Sequence, residues 1–394
     1  MKENESQPEF FDYRHLGMGY LATLASAVVF SALLILGAVR DSRQFAFSYL
    51  FTWLFFFTIA VGAQFWIILH HAVDAEWSVV VRRQLENLGA LIVPLVILFV
   101  PLLFVAPQLW SWMSPANSHD PLLLVKQAYL NAPFFWLRTL LYLAVFTSVA
   151  LLLRRYSIAQ DRDGDIRYTL LNRRVSFGFG IPFALCLTFA SIDWIMSLDY
   201  RWSSAIWGVY LFAGAVLSAL CLLVVIVTAL RSVGHLAVVT SEHYHIMGKL
   251  LLSFTIFWGY IAFSQYVVIW YANIPEETNY FLVRTTGSWW ALSQFLVVGG
   301  FFLPFLALLF RSTKRRPALL CAVAAWLLLM HALDLYIVVL PCLHPGTARP
   351  SLWDFVSFLA LGSILLAVFL KRLGDSALYP IRDPRLAPSL ALKN

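Results

Sequence analysis

The sequence predicts an all-α, polytopic membrane protein of about ten transmembrane helices, and three observations carry that prediction. Hydrophobic residues make up 61% of the 394 and charged residues only 12%, whereas a soluble domain needs about 25% charged residues to cover its surface. Ten apolar runs follow one another with short connections, most of them long enough to cross roughly 30 Å of hydrocarbon as a helix. Inside those runs sits a small set of ionisable residues. Each costs on the order of 2.5–3.5 kcal/mol at a helix centre, so such residues mark sites or pathways.

The runs fall at about 17–39, 45–69, 88–108, 132–153, 176–198, 204–230, 246–271, 286–310, 317–340 and 352–370. Together they form a single integral membrane domain over 1–394, with no room for a soluble one. The first run follows a polar, acidic stretch, MKENESQPEFFDYRHL, with no small-residue cleavage site, so it is expected to be retained rather than removed as a signal peptide. The second carries Gln64 and ends on His70-His71. Pro94 and Pro101 interrupt the third, a weak pointer to a bend. The fourth has Arg138 early and runs into an arginine-rich loop from Arg154 to Arg174. The fifth opens with Gly178-Phe-Gly180-Ile-Pro182 and closes on Asp193 and Asp199. After the sixth, the seventh opens with Glu242-His243-Tyr244-His245 and Lys249 and carries Gln265 deeper in. Pro304 interrupts the eighth, the ninth holds His331 and Asp334, and the tenth precedes the C-terminal segment.

Most of the 28 Lys and Arg flank the two termini and the even-numbered loops, which by the positive-inside rule places both termini in the cytoplasm. Topology and anionic headgroups then explain the pI near 9.3 without nucleic acid. Cys186, Cys221, Cys321 and Cys342 are scattered singly, which sets aside covalent haem and iron–sulfur clusters in this chain. Most of the tryptophans near helix ends read as interface anchors. A loose echo, Ser191-Ile-Asp193-Trp-Ile against Ala332-Leu-Asp334-Leu-Tyr, fits two related bundles.

With both ends inside, position along a helix converts to depth at about 1.5 Å per residue, and the polar residues separate into two layers. Asp193, Asp199, Gln265, His331, Asp334 and Arg138 lie towards the outer face. Gln64, His70, His71, Glu242, His243, His245 and Lys249 lie towards the cytoplasm. His331 and Asp334 are three apart, on one helix face, and can share a proton or simply pair to hold helices together. A cation such as Arg138 beside a buried acid would favour its charged form. Asp193 has no cation among Phe189, Ala190, Trp194 and Met196, so its partner comes from another helix, water or a ligand. His243 and His245 stand two apart, off a common helical face, which favours a solvated helix start or the entrance of a proton path over a metal site. His70-His71 would need a second axial histidine at the same depth to hold a haem; His331 is at the opposite depth, and an interfacial pair is preferred. The loop Trp270 to Thr278, with Pro275, Glu276 and Glu277, can dock a partner, cap a site, or be a plain acidic turn.

Four segments together resemble a known family. They are His70-His71-Ala-Val-Asp74-Ala-Glu76-Trp77 with Arg82-Arg83, Ser191-Ile-Asp193-Trp194-Ile-Met-Ser197-Leu-Asp199, Glu242-His243-Tyr244-His245 with Gly248-Lys249-Leu250, and Phe263-Ser-Gln265-Tyr with Trp270 to Thr278. In order and spacing they are similar to membrane subunits of the NrfD and polysulfide reductase type, in particular the ActF-type subunit of alternative complex III. Two positions depart from the family pattern: Ile246 stands where an acid follows the second histidine, and Gly299-Gly300-Phe301 where a histidine precedes Pro304. The resemblance implies two four-helix bundles plus extra helices, no redox cofactor of its own, and a place in a bacterial inner membrane beside a sister subunit. Iron–sulfur and c-type cytochrome (haem c) subunits would complete a quinol:cytochrome c oxidoreductase, in contact with lipids and with a terminal oxidase as a further possible partner. Quinone or quinol would be the substrate. By motif position Asp193, His331 and Asp334 are then outer-side candidates for a quinone pocket or proton half-channel, and His70, Glu242, His243, His245 and Lys249 inner-side ones. The same buried acids would also suit a proton-coupled secondary transporter acting alone, and a scaffold subunit whose charges merely pair helices is the third reading.

Overall fold

A computed structural model describes residues 9–393; residues 1–8 of the polar leading stretch lie outside it. Among the described residues ten helices are long and apolar enough to cross a membrane: α1 (Met18–Arg40), α2 (Ser42–Ala72), α3 (Val79–Phe104), α4 (Ala132–Asp163), α5 (Ile166–Asp199), α6 (Trp207–Ser232), α7 (Ser241–Ala272), α8 (Gly287–Leu309), α9 (Pro317–Cys342) and α10 (Leu352–Gly374). Among the described residues there is no strand. In hydrocarbon every backbone polar group must be satisfied within its own segment, and helices do this. Their ends are fixed by side chains. Asp41 accepts from Gln44 N, Asn131 from Phe134 N and Asp165 from Arg167 N, while Thr240 with His243 and Ser351 with Asp354 form capping boxes on α7 and α10.

The helices α2 to α5 pack as one four-helix bundle and α6 to α9 as a second, with α2 and α5 against α6 and α2 also against α9. The window of α2 is 83% buried and that of α1 only 11%, which makes α2 the hub and leaves α1, paired with α10, at the periphery. Because the described spans are even in number, the start of α1 and the end of α10 share one face, called here the terminal face. Leu378 N donates to Glu9 O there, joining the two terminal segments.

The contact between the bundles depends on a glycine. A Cβ on Gly62 would stand 2.0 Å from Ala215 O and 2.9 Å from Ala219 Cβ, so α2 and α6 touch backbone to backbone and any side chain must separate them. Gly62→Ala is expected to lower stability by about 1–3 kcal/mol, read as a drop in the midpoint of thermal unfolding in detergent micelles. An unchanged midpoint would mean that the bundles do not meet at this point.

Besides the fourth span, which runs on to Asp163 rather than ending near 153, two span starts differ most from the hydropathy reading. The third span begins at Val79 rather than near 88, and the fifth at Ile166 rather than near 176. Both extensions are charged, so apolar runs hide them. In the first, Arg82, Arg83 and Glu86 are helical and fully buried because carboxylates and arginines neutralise one another there. The third span is broken, as its prolines predict, into Val79–Gly89, Ile92–Ile97 and Val100–Phe104, whereas Pro182 sits inside an unbroken α5 helix. The acidic turn after α7 is itself a short helix, Pro275–Arg284, entered through Asn273 at φ +49°. Arg284 ties it to the end of α9 by donating to Ile337 O and Val338 O.

Candidate functional site

Near the opposite face the two bundles each bury an aspartate on their last helix, and the surroundings of the two acids differ. Asp193 on α5 is fully buried and meets Arg138 of α4 in a two-pronged ion pair, Nε to Oδ2 at 2.7 Å and Nη2 to Oδ1 at 2.9 Å, with Tyr142 OH donating at 2.8 Å. Arg138 lies against the rings of Tyr129 and Phe134, 3.9 and 4.1 Å from their centroids, and donates to Tyr129 O. Such a forked pair fixes both partners in charge and direction. The partner that Asp193 requires from another helix is therefore Arg138.

Asp334 on α9 has only neutral partners. Tyr210 OH of α6 donates to Oδ1 in a short hydrogen bond, and Trp258 Nε1 of α7 donates to Oδ2 at 3.2 Å. His331, one turn earlier, does not bond to it, and Arg138 is engaged elsewhere. Instead His331 Nε2 meets Thr58 Oγ1 of α2 at 2.9 Å, across the bundle boundary. Thr58 spends its own proton on Phe55 O, so the hydrogen-bond pattern assigns Nε2–H as donor and leaves the Nδ1 lone pair facing Gly214. A Cβ at Gly214 would stand 3.0 Å from His331 Cε1, so glycine there lets the ring lie against α6.

Two small hollows of about 10 and 20 Å³ flank these side chains and share Gly214, His331 and Asp334 in their walls. Each has room for about one ordered water. Neither approaches the roughly 300 Å³ of a pocket that encloses a small organic ligand. One is bordered by Tyr210 and Ile195 and the other by Trp258 and Gly300. Gly300 belongs to a stretch of π-helix, Val297–Phe302, in the middle of α8, the kind of bulge found often at functional sites. Gly299 O in that stretch accepts from Trp326 Nε1 at 2.7 Å. Asp193 lines neither hollow, so the two aspartates occupy separate environments.

The remaining outer-layer residues are dispersed. Gln265 pairs with Ser204 Oγ at 2.7 Å, and half-buried Asp199 accepts from the backbone of Arg201. At the terminal face His70 and His71 are buried beside Gln64, which donates to Gly89 O. Neither imidazole has a hydrogen-bond partner at either ring nitrogen among the described residues. His70 instead packs against a tilted Trp66 ring and edge-on against Trp77. Around them Arg82 pairs with Asp383 and Glu86, Arg83 with Glu86 and Asp161, and Arg385 with Asp383 and Asp74. Burial alone would raise the Asp383 carboxyl, but Arg82 and Arg385 outweigh it and hold the group well below the usual carboxylate range. An unsatisfied buried polar group costs about 1–3 kcal/mol when dry, so this end of the first bundle is a polar compartment suited to internal water. His243 is used by its helix cap through Nδ1, with Nε2 unpartnered. Glu242 is paired with Arg315, His245 is half-buried, and Lys249 is exposed beside it.

Reading the runs separately could not assemble these groups. Thr58, Tyr210 and Trp258 are ordinary residues of apolar helices, and only the packing of α2, α6 and α7 on α9 brings them to His331 and Asp334. Arg82, Arg83 and Glu86 were visible as charges, but their burial goes with ion pairs to Asp161 at the end of α4 and to Asp383 of the returning C-terminal segment. Their signal was the charged but amphipathic stretch Val79–Gly89, which lies outside the apolar run. No family model matches this chain, and no curated protein matches it.

Proposed function

We propose that this chain is a cofactor-free membrane subunit of a quinol-oxidising electron-transfer complex and that its own contribution is proton movement through the second bundle. One observation carries the proton part: Asp334 is buried with no cation beside it, among neutral donors and beside water-sized hollows that it shares with His331. Protonating such an acid removes a local charge, whereas protonating Asp193 would break an ion pair. A group in that situation is suited to accept and return a proton. The hollows have room for single waters and are too small for a quinone ring, so in this reading quinol is oxidised at the boundary with a sister subunit. The quinol part rests on the four motifs that resemble NrfD-type membrane subunits. In the same reading the membrane is the bacterial inner membrane, the terminal face is cytoplasmic and the Asp193 and Asp334 level lies near the periplasm.

The test is purification of the full chain, tagged, from its own cells in mild detergent. Haem-bearing and iron–sulfur subunits are expected on the same column, with quinol-dependent reduction of a high-potential acceptor. A chain that purifies alone and drives solute uptake in vesicles under a proton gradient would replace this reading with a transporter.

A further inference from the structure

We propose that the C-terminal segment 375–393 is a releasable plug that shuts the terminal-face mouth of the first bundle and keeps bulk water from His70 and His71. This goes beyond the proton-transfer reading, which concerns the second bundle, and it stands on solvent access alone, so it can be tested without any activity.

The segment leaves α10 and forms no long helix, its one helical turn being Leu386–Leu390. Even so, Ser376, Ala377, Leu378, Tyr379, Asp383 and Ser389 are buried. Polar contacts hold it in place. Gln84 Nε2 donates to Leu378 O at 2.8 Å, Ile381 N donates to Asp161 Oδ1 at 3.1 Å, and Ser389 Oγ donates to Trp77 O at 3.1 Å. Asp383 forms the central contact, with its side chain fully buried between Arg82 and Arg385, and Arg385 reaches on to Asp74.

All these partners lie on one rim. Asp74 and Trp77 belong to the connection after α2, Arg82 and Gln84 to the first turns of α3, and Asp161 to the end of α4. The rim encloses His70 and His71, which feel the charges of Arg82 and Arg385. Beneath the segment, the imidazole nitrogens, Arg82 Nη1 and Gln84 Oε1 have no hydrogen-bond partner among the described residues. An apolar lid on an apolar floor would have nothing to gain by opening. Here opening exchanges hydrogen bonds within the protein for bonds to water and hydrates groups that are otherwise unsatisfied, which makes the opening cheap relative to unfolding a span. The ionised Asp383 is the latch, because it alone neutralises Arg82 and Arg385 together from the segment's side.

Mass-spectrometric hydrogen exchange at the histidine C2 position tests this in the intact chain. The peptide with His70 and His71 is expected to exchange at least about tenfold more slowly than exposed His119. Asp383→Asn, which keeps the shape of the latch and removes its charge, is expected to bring the two rates within a few-fold. Exchange as fast as His119 in the unmodified chain overturns the proposal, and so does slow exchange in Asp383→Asn protein that retains its helical signal. Should that variant not fold, backbone exchange of the unmodified chain decides. The amides of Leu378, Ile381 and Ser389 are then expected to open together and well before those of α2, and opening only with α2 would make the segment a fixed part of the fold.

Discussion

Replacing Arg138 by leucine is expected to destabilise the folded chain by about 3–5 kcal/mol, the usual cost of stranding one partner of a buried ion pair. The guanidinium gives Asp193 two of its three side-chain donors, and only Tyr142 OH would remain for a carboxylate that is wholly buried. Tyr129 and Phe134 would also lose the cation that lies against their rings. Tyr142→Phe, which removes a single hydrogen bond, should cost only about 1 kcal/mol. The double variant Arg138→Leu with Asp193→Leu separates charge from packing. If the damage is an uncompensated charge, the double variant recovers most of the loss, and the two effects are strongly non-additive. Unfolding in detergent, followed by tryptophan fluorescence, measures the parent, the single variants Arg138→Leu, Asp193→Leu and Tyr142→Phe, and the double variant. A single variant as stable as the parent would show that Asp193 finds other partners.

That ion pair also marks where reading the sequence stops. The ten spans were legible because each is an apolar run of membrane length, a property of consecutive residues. The two ends of depth were legible as well, since a residue's place along its helix fixes its level in the bilayer. Which residues meet at a given level depends on how helices rotate about their axes, and the apolar runs carry little of that information, because lipid and helix neighbours are equally apolar. Arg138 and Asp193 share a level by their places along α4 and α5, but that they meet each other there is set by packing. His331 and Asp334, three apart, share a helix face without bonding to each other, because Thr58 takes the imidazole while Tyr210 and Trp258 take the carboxylate. The largest gap lay at the terminal face. Charges at Arg82, Arg83 and Glu86 look like a solvated loop in sequence, and only the return of the C-terminal segment some three hundred residues later buries them. His70 and His71, expected as an interfacial pair, are buried at that end with no hydrogen-bond partner among the described residues. Gly299-Gly300-Phe301 stood out in the sequence only by departing from a family pattern, and in the fold that stretch is π-helical and walls the second hollow.

Asparagine at position 334 is expected to reduce proton movement by about a hundredfold in the assembled complex while leaving the fold intact. Asn has the volume of Asp, and its carbonyl can still accept from Tyr210 or Trp258, so the helices α6, α7 and α9 stay in register. What it cannot do is take up a proton. If the acid relays protons between the water-sized hollows and His331, no other described carboxylate can substitute: Asp193 is locked by Arg138 and lines neither hollow. The measurement is acidification or alkalinisation of vesicles containing the complex, followed with a pH-sensitive dye during quinol turnover, beside the rate of acceptor reduction. His331→Gln should give a smaller loss, since the ring's Nδ1 lone pair vanishes but the acid remains. Tyr210→Phe tests the same site from the donor side, because it removes one of the two hydrogen bonds that hold the carboxylate, and it should slow proton movement less than Asp334→Asn does. Proton movement at the parent rate in Asp334→Asn, with normal assembly, would leave Asp334 a structural acid and return the proton to the sister subunit.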